Sequence, residues 1–154
     1  MKIYVASSWR NQRQPEVVQT LRQAGHEVYD FKNPEINNHG FHWSEIDPQW
    51  LEWNGEKFRS ALMHPIALSG FRKDHDAMYE TDVFVMVLPC GRSAHLELGW
   101  ATGRNKTTFI LLDEYQEPEL MYLEADYICL SIDEVIGILN EFENKSAQGV
   151  PANK

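Results

Sequence analysis

Glu97 is the side chain around which chemistry would be organised. It sits in Gly91-Arg92-Ser93-Ala94-His95-Leu96-Glu97-Leu98-Gly99-Trp100, directly after the uncharged run Val83 to Leu88. That run is rich in β-branched residues and suits a central strand of a parallel sheet buried on both faces. Pro89 and Gly91 end it, and Ser93 is a candidate N-cap for the helix that follows. A capping-box acid would stand three residues after Ser93, where Leu96 stands instead, so Glu97 has no capping role. On a helix it shares a face with Ser93, Ala94, Trp100 and Ala101, none of them basic. A lone carboxylate at the carboxyl end of a parallel strand is where open α/β proteins place their chemistry, and the competing reading is an acid on an exposed helix face.

The other reactive types are more ambiguous. Arg10, Arg13, Arg72, Lys73 and Arg92 fall in loops or turns near the ends of predicted strands, which suits either a small anion such as phosphate or a solvated surface. Backbone N–H groups of residues 92 to 95 at a helix start, with the Ser93 hydroxyl and the Arg92 guanidinium, would form an anion site. Cys90 and Cys129 lie in or beside apolar strand-like runs and read as free thiols, with Cys90 a small buried hydrophobe. His95 reads as a helix-surface histidine rather than a general base, because a helix N-terminus disfavours its charged form. The spacing of His39, His42, His64 and His75 matches no metal-ligand pattern, and no metal or cofactor is expected.

The elements that must position these groups follow from periodicity. Lys2 to Ala6 is a strand, a polar loop runs from Ser7 to Gln12, and a helix spans Gln14 to Ala24, with Pro15 in its first turn and Gly25 as its stop. His26 to Phe31 completes a βαβ unit and predicts a parallel sheet. Further helices are expected from Pro48 to Leu62, from Pro65 or Ser69 to Glu80, around Glu119 to Glu124, and from Asp133 to Phe142, the last capped by Ser131 or Asp133. Strands are expected over Thr107 to Leu112 and Tyr127 to Ser131. The pattern gives an α/β, flavodoxin- or Rossmann-like doubly wound sandwich with a five-stranded, mainly parallel sheet. It is expected as one domain over residues 1–145 with a polar tail at 146–154. The first strand leads into Ala6-Ser7-Ser8-Trp9 rather than G-x-G-x-x-G, so dinucleotide binding has no motif behind it.

Residues 33–64 break the regular pattern. Three of the five tryptophans, Trp43, Trp50 and Trp53, crowd there with Phe41 and Phe58, too many aromatics for disorder. The segment reads as a lid or wall that stacks on a planar ligand, or as a subunit contact.

Composition narrows the partners. A formal net charge of -9 argues against binding a nucleic-acid polymer, which requires clustered Lys and Arg. No apolar run approaches membrane-spanning length and Met1-Lys2-Ile3 enters a strand pattern at once, so a cytoplasmic protein without anchor or signal peptide is expected.

Three stretches together resemble the nucleoside 2-deoxyribosyltransferase superfamily, which includes the hydrolases of nucleoside 5'-monophosphates. They are Lys2 to Trp9, Asp74 to Asp82, and Gly91 to Ala101, and the resemblance extends from Lys2 to about Asn140, weakest in the aromatic insert. It implies that Glu97 is the nucleophile that attacks the anomeric carbon, that Tyr4 orients that carboxylate, and that Asp74 meets the base. It also implies that Ser7, Ser8, Trp9, Gly91, Arg92 and Ser93 line the substrate site, to which Trp43 of the insert is added. The transferases carry a second base-contacting aspartate six residues before the nucleophile; Gly91 occupies that position, as a small residue does in the monophosphate hydrolases. The resemblance therefore implies cleavage of the N-glycosidic bond of a nucleoside 5'-monophosphate or (2'-deoxy)nucleoside, with hydrolysis favoured over base exchange. It implies no cofactor and a homodimer or higher homo-oligomer. The reading from another class is a non-catalytic nucleotide-sensing module on the same fold.

Overall fold

A computed structural model describes residues 1–34 and 39–148. Five strands, β1 (Lys2–Ala6), β2 (Glu27–Asp30), β3 (Val83–Val87), β4 (Thr107–Leu111) and β5 (Tyr127–Cys129), form one sheet in the order β2-β1-β3-β4-β5. Every pairing is parallel, with Tyr4 opposite Tyr29 on one side and Phe84 on the other.

Strand alternation divides the core into two layers. Ile3, Val5, Val83, Val85 and Val87 turn to one face. There they pack with Val17, Val18 and Leu21 of α1 (Gln14–Gln23) and with Val135 and Leu139 of α5 (Ile132–Ala147). Tyr4, Ala6, Phe84 and Met86 turn to the other face, against Met78 of α3 (Pro65–Glu80) and Ala94, Leu98 and Ala101 of α4 (Arg92–Gly103). Helices therefore cover both faces, which is why β1 and β3 read as unbroken apolar runs. The chain leaves β1 for α1 on one face and β3 for α4 on the other. The carboxyl edge between these two adjacent strands is the topological switch point of this architecture, where open α/β sheets bind ligands.

Several boundaries differ from expectation. The helix expected over Pro48 to Leu62 is interrupted: a 3₁₀ turn covers Trp50–Glu52, Trp53 is extended, and α2 begins at Gly55 and ends at Ala61. The break follows from Asn54, whose side chain accepts the Lys57 N–H at 2.9 Å and starts a new helix. Ser93 is not an N-cap. Gly91 is, so α4 starts at Arg92 and lacks a side-chain cap. Of the two candidate caps for α5, Ser131 performs the role, accepting the Glu134 N–H at 3.2 Å. That helix continues to Ala147, into the expected tail, and residues 149–154 of the tail lie outside the described residues, as do 35–38 of the insert. No helix among the described residues is long and apolar enough to cross a membrane.

The insert folds back on the carboxyl edge. Gly40 adopts φ +70, where a Cβ would stand 2.3 Å from the Phe31 carbonyl oxygen and 3.0 Å from the Trp9 ring, so only glycine closes this turn. Phe41 then packs so tightly on α3 that a Cβ at Gly70 would lie 2.8 Å from its own Cβ.

Candidate active site

Four side chains meet where β1, β2, α3 and α4 converge. Tyr4 and Tyr29 lie opposite each other in register, their rings stacked at 5.3 Å and 15°, and Tyr4 stacks in turn on Phe84 at 5.0 Å. This column across three strands fixes where the two phenols end. The Tyr29 hydroxyl donates to Asp74 Oδ1 at 2.8 Å. The Tyr4 hydroxyl is buried without a hydrogen bond of ordinary geometry, yet Glu97 lies near enough for the two groups to affect each other's ionisation.

Electrostatics make the cluster a coupled pair of carboxyls. Burial, then the charge of Asp74, lifts Glu97 from 4.5 to about 7 against the opposing influence of the Tyr4 hydroxyl. Burial also raises Asp74, opposed by the Tyr29 hydrogen bond and by Lys73. Burial and both carboxylates hold Tyr4 well above the usual phenol range. These are the features expected of acid–base chemistry rather than of a surface acid, since Glu97 is only partly exposed and has no basic partner among the described residues. A cavity of about 200 Å³ opens beside Asp74, lined by Asp74 and Tyr29 with Phe41, Glu45, Ser69 and Lys73.

The loops after β1 and β3 lie on the same carboxyl edge and are tied to each other. Asn11, almost fully buried, donates from Nδ2 to the Ser7 hydroxyl at 3.1 Å and to the carbonyls of Val87 at 3.3 Å and Pro89 at 3.1 Å. The loop after β1 is thereby tied to the loop after β3. Ser7 donates to the Val87 carbonyl at 2.8 Å, so its hydroxyl serves this tie. The Ser8 hydroxyl accepts the Arg10 N–H at 3.2 Å, and Trp9 packs edge-on to Phe31 and against His42. On the same edge Gly91, Arg92 and Ser93 are exposed at the start of α4, which has no side-chain cap, and nothing lies within 4 Å of where a Gly91 Cβ would stand. His95 fixes that turn. Its Nδ1 donates to the Gly91 carbonyl at 2.9 Å, which leaves Nε2 to accept from the Tyr122 hydroxyl at 3.1 Å. Cys90 is half-buried with its thiol pushed up to about 12, chiefly by burial and further by Glu97, which disfavours the thiolate.

The fold thus brings Glu97, Tyr4 and Asp74 together and sets the loops of residues 7–9 and 91–93 on the same edge. Of the expected site residues only Asp74 lines the cavity; Glu97, Tyr4 and the loops of residues 7–9 and 91–93 lie outside its lining, and so does Trp43. Trp43 packs within the insert against Phe41, Trp53 and Phe58, and Phe41 forms the wall instead. Tyr29 and Asn11 carry no motif of their own. Tyr29 was discoverable only from strand register, once β2 is aligned so that it faces Tyr4. Among the described residues no three His, Cys, Asp or Glu side chains gather as a metal site requires.

No protein-family model matches the chain, and no curated protein sequence matches it significantly. Solved structures do. The Clostridium botulinum CMP N-glycosidase BcmB is 18% identical with a TM-score of 0.51, over 91% of this chain and 99% of that one. The 2-deoxyribosyltransferase of the psychrotolerant bacterium Bacillus psychrosaccharolyticus is 19% identical with a TM-score of 0.56, over 88% of this chain and 90% of that one. At these identities the likeness is one of fold, and it extends over nearly the whole length of both chains: this protein has the α/β fold that a CMP N-glycosidase and a 2-deoxyribosyltransferase share.

Proposed function

We propose that the protein is an enzyme that cleaves the N-glycosidic bond of a nucleoside 5'-monophosphate or (2'-deoxy)nucleoside, releasing the free base, with residues 1–145 as the catalytic unit. The observation that carries this reading is the coupled pair Glu97 and Asp74 beside one stacked tyrosine column, with Tyr29 donating to Asp74 and the Tyr4 hydroxyl near Glu97. Breaking a C1'–N bond develops positive charge on the sugar, which a carboxylate beneath C1' stabilises and then captures as an ester. In this account Glu97 attacks C1', and the bonding pair leaves with the base. A proton from Asp74 meets the base at a ring nitrogen. Water then attacks C1', releases the Glu97 carboxylate and returns a proton to Asp74. Tyr4 orients Glu97.

Water as the acceptor, rather than a second base, is supported by Gly91, where the related transferases carry an aspartate. The absence of that acid is a matter of chemistry and not of space, because the position is open. A phosphate on the substrate would meet the free N–H groups at the start of α4, the Ser93 hydroxyl and the Arg92 guanidinium. Self-association is supported by exposed apolar side chains on α2 and α3, among them Phe58 and Phe71.

The test is incubation with a panel of nucleosides and 5'-monophosphates, following free base by chromatography, beside Glu97→Ala. Release by the wild type that is lost in the variant supports the enzyme. Tight nucleotide binding without release from any substrate overturns it in favour of a sensing module.

A further inference from the structure

We propose that Tyr29 is a positioning residue for the acid: its hydroxyl, aligned by the Tyr4–Tyr29 ring stack, clamps Asp74 Oδ1 and so directs the acid's proton to Oδ2. The inference rests on the reading of Asp74 as the acid but reaches a residue that no motif marks. Three observations converge on it. Tyr29 is the register partner of Tyr4 on the neighbouring strand, so the two phenols emerge side by side from one ladder step. The rings stack at 5.3 Å and 15°, which removes the freedom of the Tyr29 ring to swing. The hydroxyl reaches Oδ1 at 2.8 Å, and Oδ2 makes no hydrogen bond among the described residues, while Asp74 lines the cavity beside them.

A phenol that donates to Oδ1 makes that atom the acceptor in both protonation states, so the carboxyl proton resides on Oδ2. It also stabilises the carboxylate and makes Asp74 the stronger acid. Among the described residues, the charged and titratable groups around Asp74 are Tyr4 on β1, Tyr29 on β2, Lys73 beside it on α3 and Glu97 on α4, with Glu45 lining the same cavity. Of these, Tyr29 is the one that holds the carboxyl by a short hydrogen bond.

Tyr29→Phe keeps the ring and removes the hydroxyl, and Tyr29→Ala removes both. Carboxyl titration by side-chain carbon NMR is independent of turnover: the Asp74 resonance in Tyr29→Phe shifts its midpoint upward by about one pH unit relative to wild type. If the wild type proves inactive on every nucleoside and nucleotide, this measurement still decides the clamp. Where base release is observed, Tyr29→Phe lowers kcat by about tenfold with KM nearly unchanged, and the alkaline limb of kcat/KM moves up with the Asp74 midpoint. An Asp74 midpoint that is the same in wild type and Tyr29→Phe overturns the proposal. So does a raised KM at unchanged kcat, which would make Tyr29 a substrate contact, or a defect confined to Tyr29→Ala, which would leave the ring with a packing role alone.

Discussion

Replacing Glu97 by Gln should stabilise the protein in alkaline solution while abolishing turnover. A carboxyl carried from 4.5 to about 7 is harder to ionise in the folded chain than in the unfolded one. At roughly 1.4 kcal/mol per tenfold change in acidity, that difference is about 3 kcal/mol. Glu97 keeps part of its surface in solvent, which screens the penalty and brings the expected value to about 1–2 kcal/mol. The sign follows from proton counts. Between 4.5 and about 7 the folded state holds a proton on Glu97 that the unfolded state has lost, so stability falls as pH rises through that window. Below it both states are protonated and the penalty vanishes; above it the penalty is complete. Glutamine carries no charge at any pH. Urea unfolding of wild type and Glu97→Gln should therefore agree near pH 4 and diverge by about 1–2 kcal/mol near pH 8, with the variant the more stable and the m-values equal. Parallel stability curves across that range, or a variant less stable at pH 8, would refute the claim that Glu97 is a desolvated carboxylate facing Asp74.

The pH dependence of kcat/KM should be bell-shaped, because the pair reacts with one proton in total, which rests mainly on Glu97 in the free protein and stands on Asp74, with Glu97 charged, in the reactive tautomer. The alkaline limb is expected near 7, where the pair loses that proton, and Asp74→Asn should lower kcat/KM by about 10²–10⁴ and remove this limb. Gly91→Asp fits without a clash and places a negative charge at the start of α4. It should lower kcat/KM for a 5'-monophosphate by about tenfold more than for the matching nucleoside, as measured by base release. Gly70→Ala drives a Cβ to 2.8 Å from that of Phe41, so a loss of about 1–3 kcal/mol in urea unfolding is expected, with a raised KM as the cavity wall moves.

The sheet was readable because β1 and β3 are buried on both faces and their composition announces it; β1 and α1 begin at the residues expected of them. Glu97 stood out for the absence of a structural task. What periodicity could not supply was the spatial pairing of residues distant in the chain. Asp74 was marked by resemblance, but its bond to Tyr29 spans 45 positions and depends on strand register. Asn11 looked like one more polar loop residue, although its side chain joins the loops after β1 and β3. In the insert, local signals conflict. Trp50 and Trp53 have helical spacing, yet Asn54 restarts the chain as a new helix. Trp43 drew attention as a large aromatic, and that same size makes it the hub of a cluster inside the insert.

The central claim is that Glu97 becomes covalently joined to the sugar. Peptide mass spectrometry after incubation with 2'-fluoro analogues of the nucleosides and 5'-monophosphates, in which the second step is slowed, tests it most directly. The predicted result is a sugar or sugar-phosphate adduct on the peptide containing Glu97, formed as base is released. Release of base with no adduct on that peptide would contradict it.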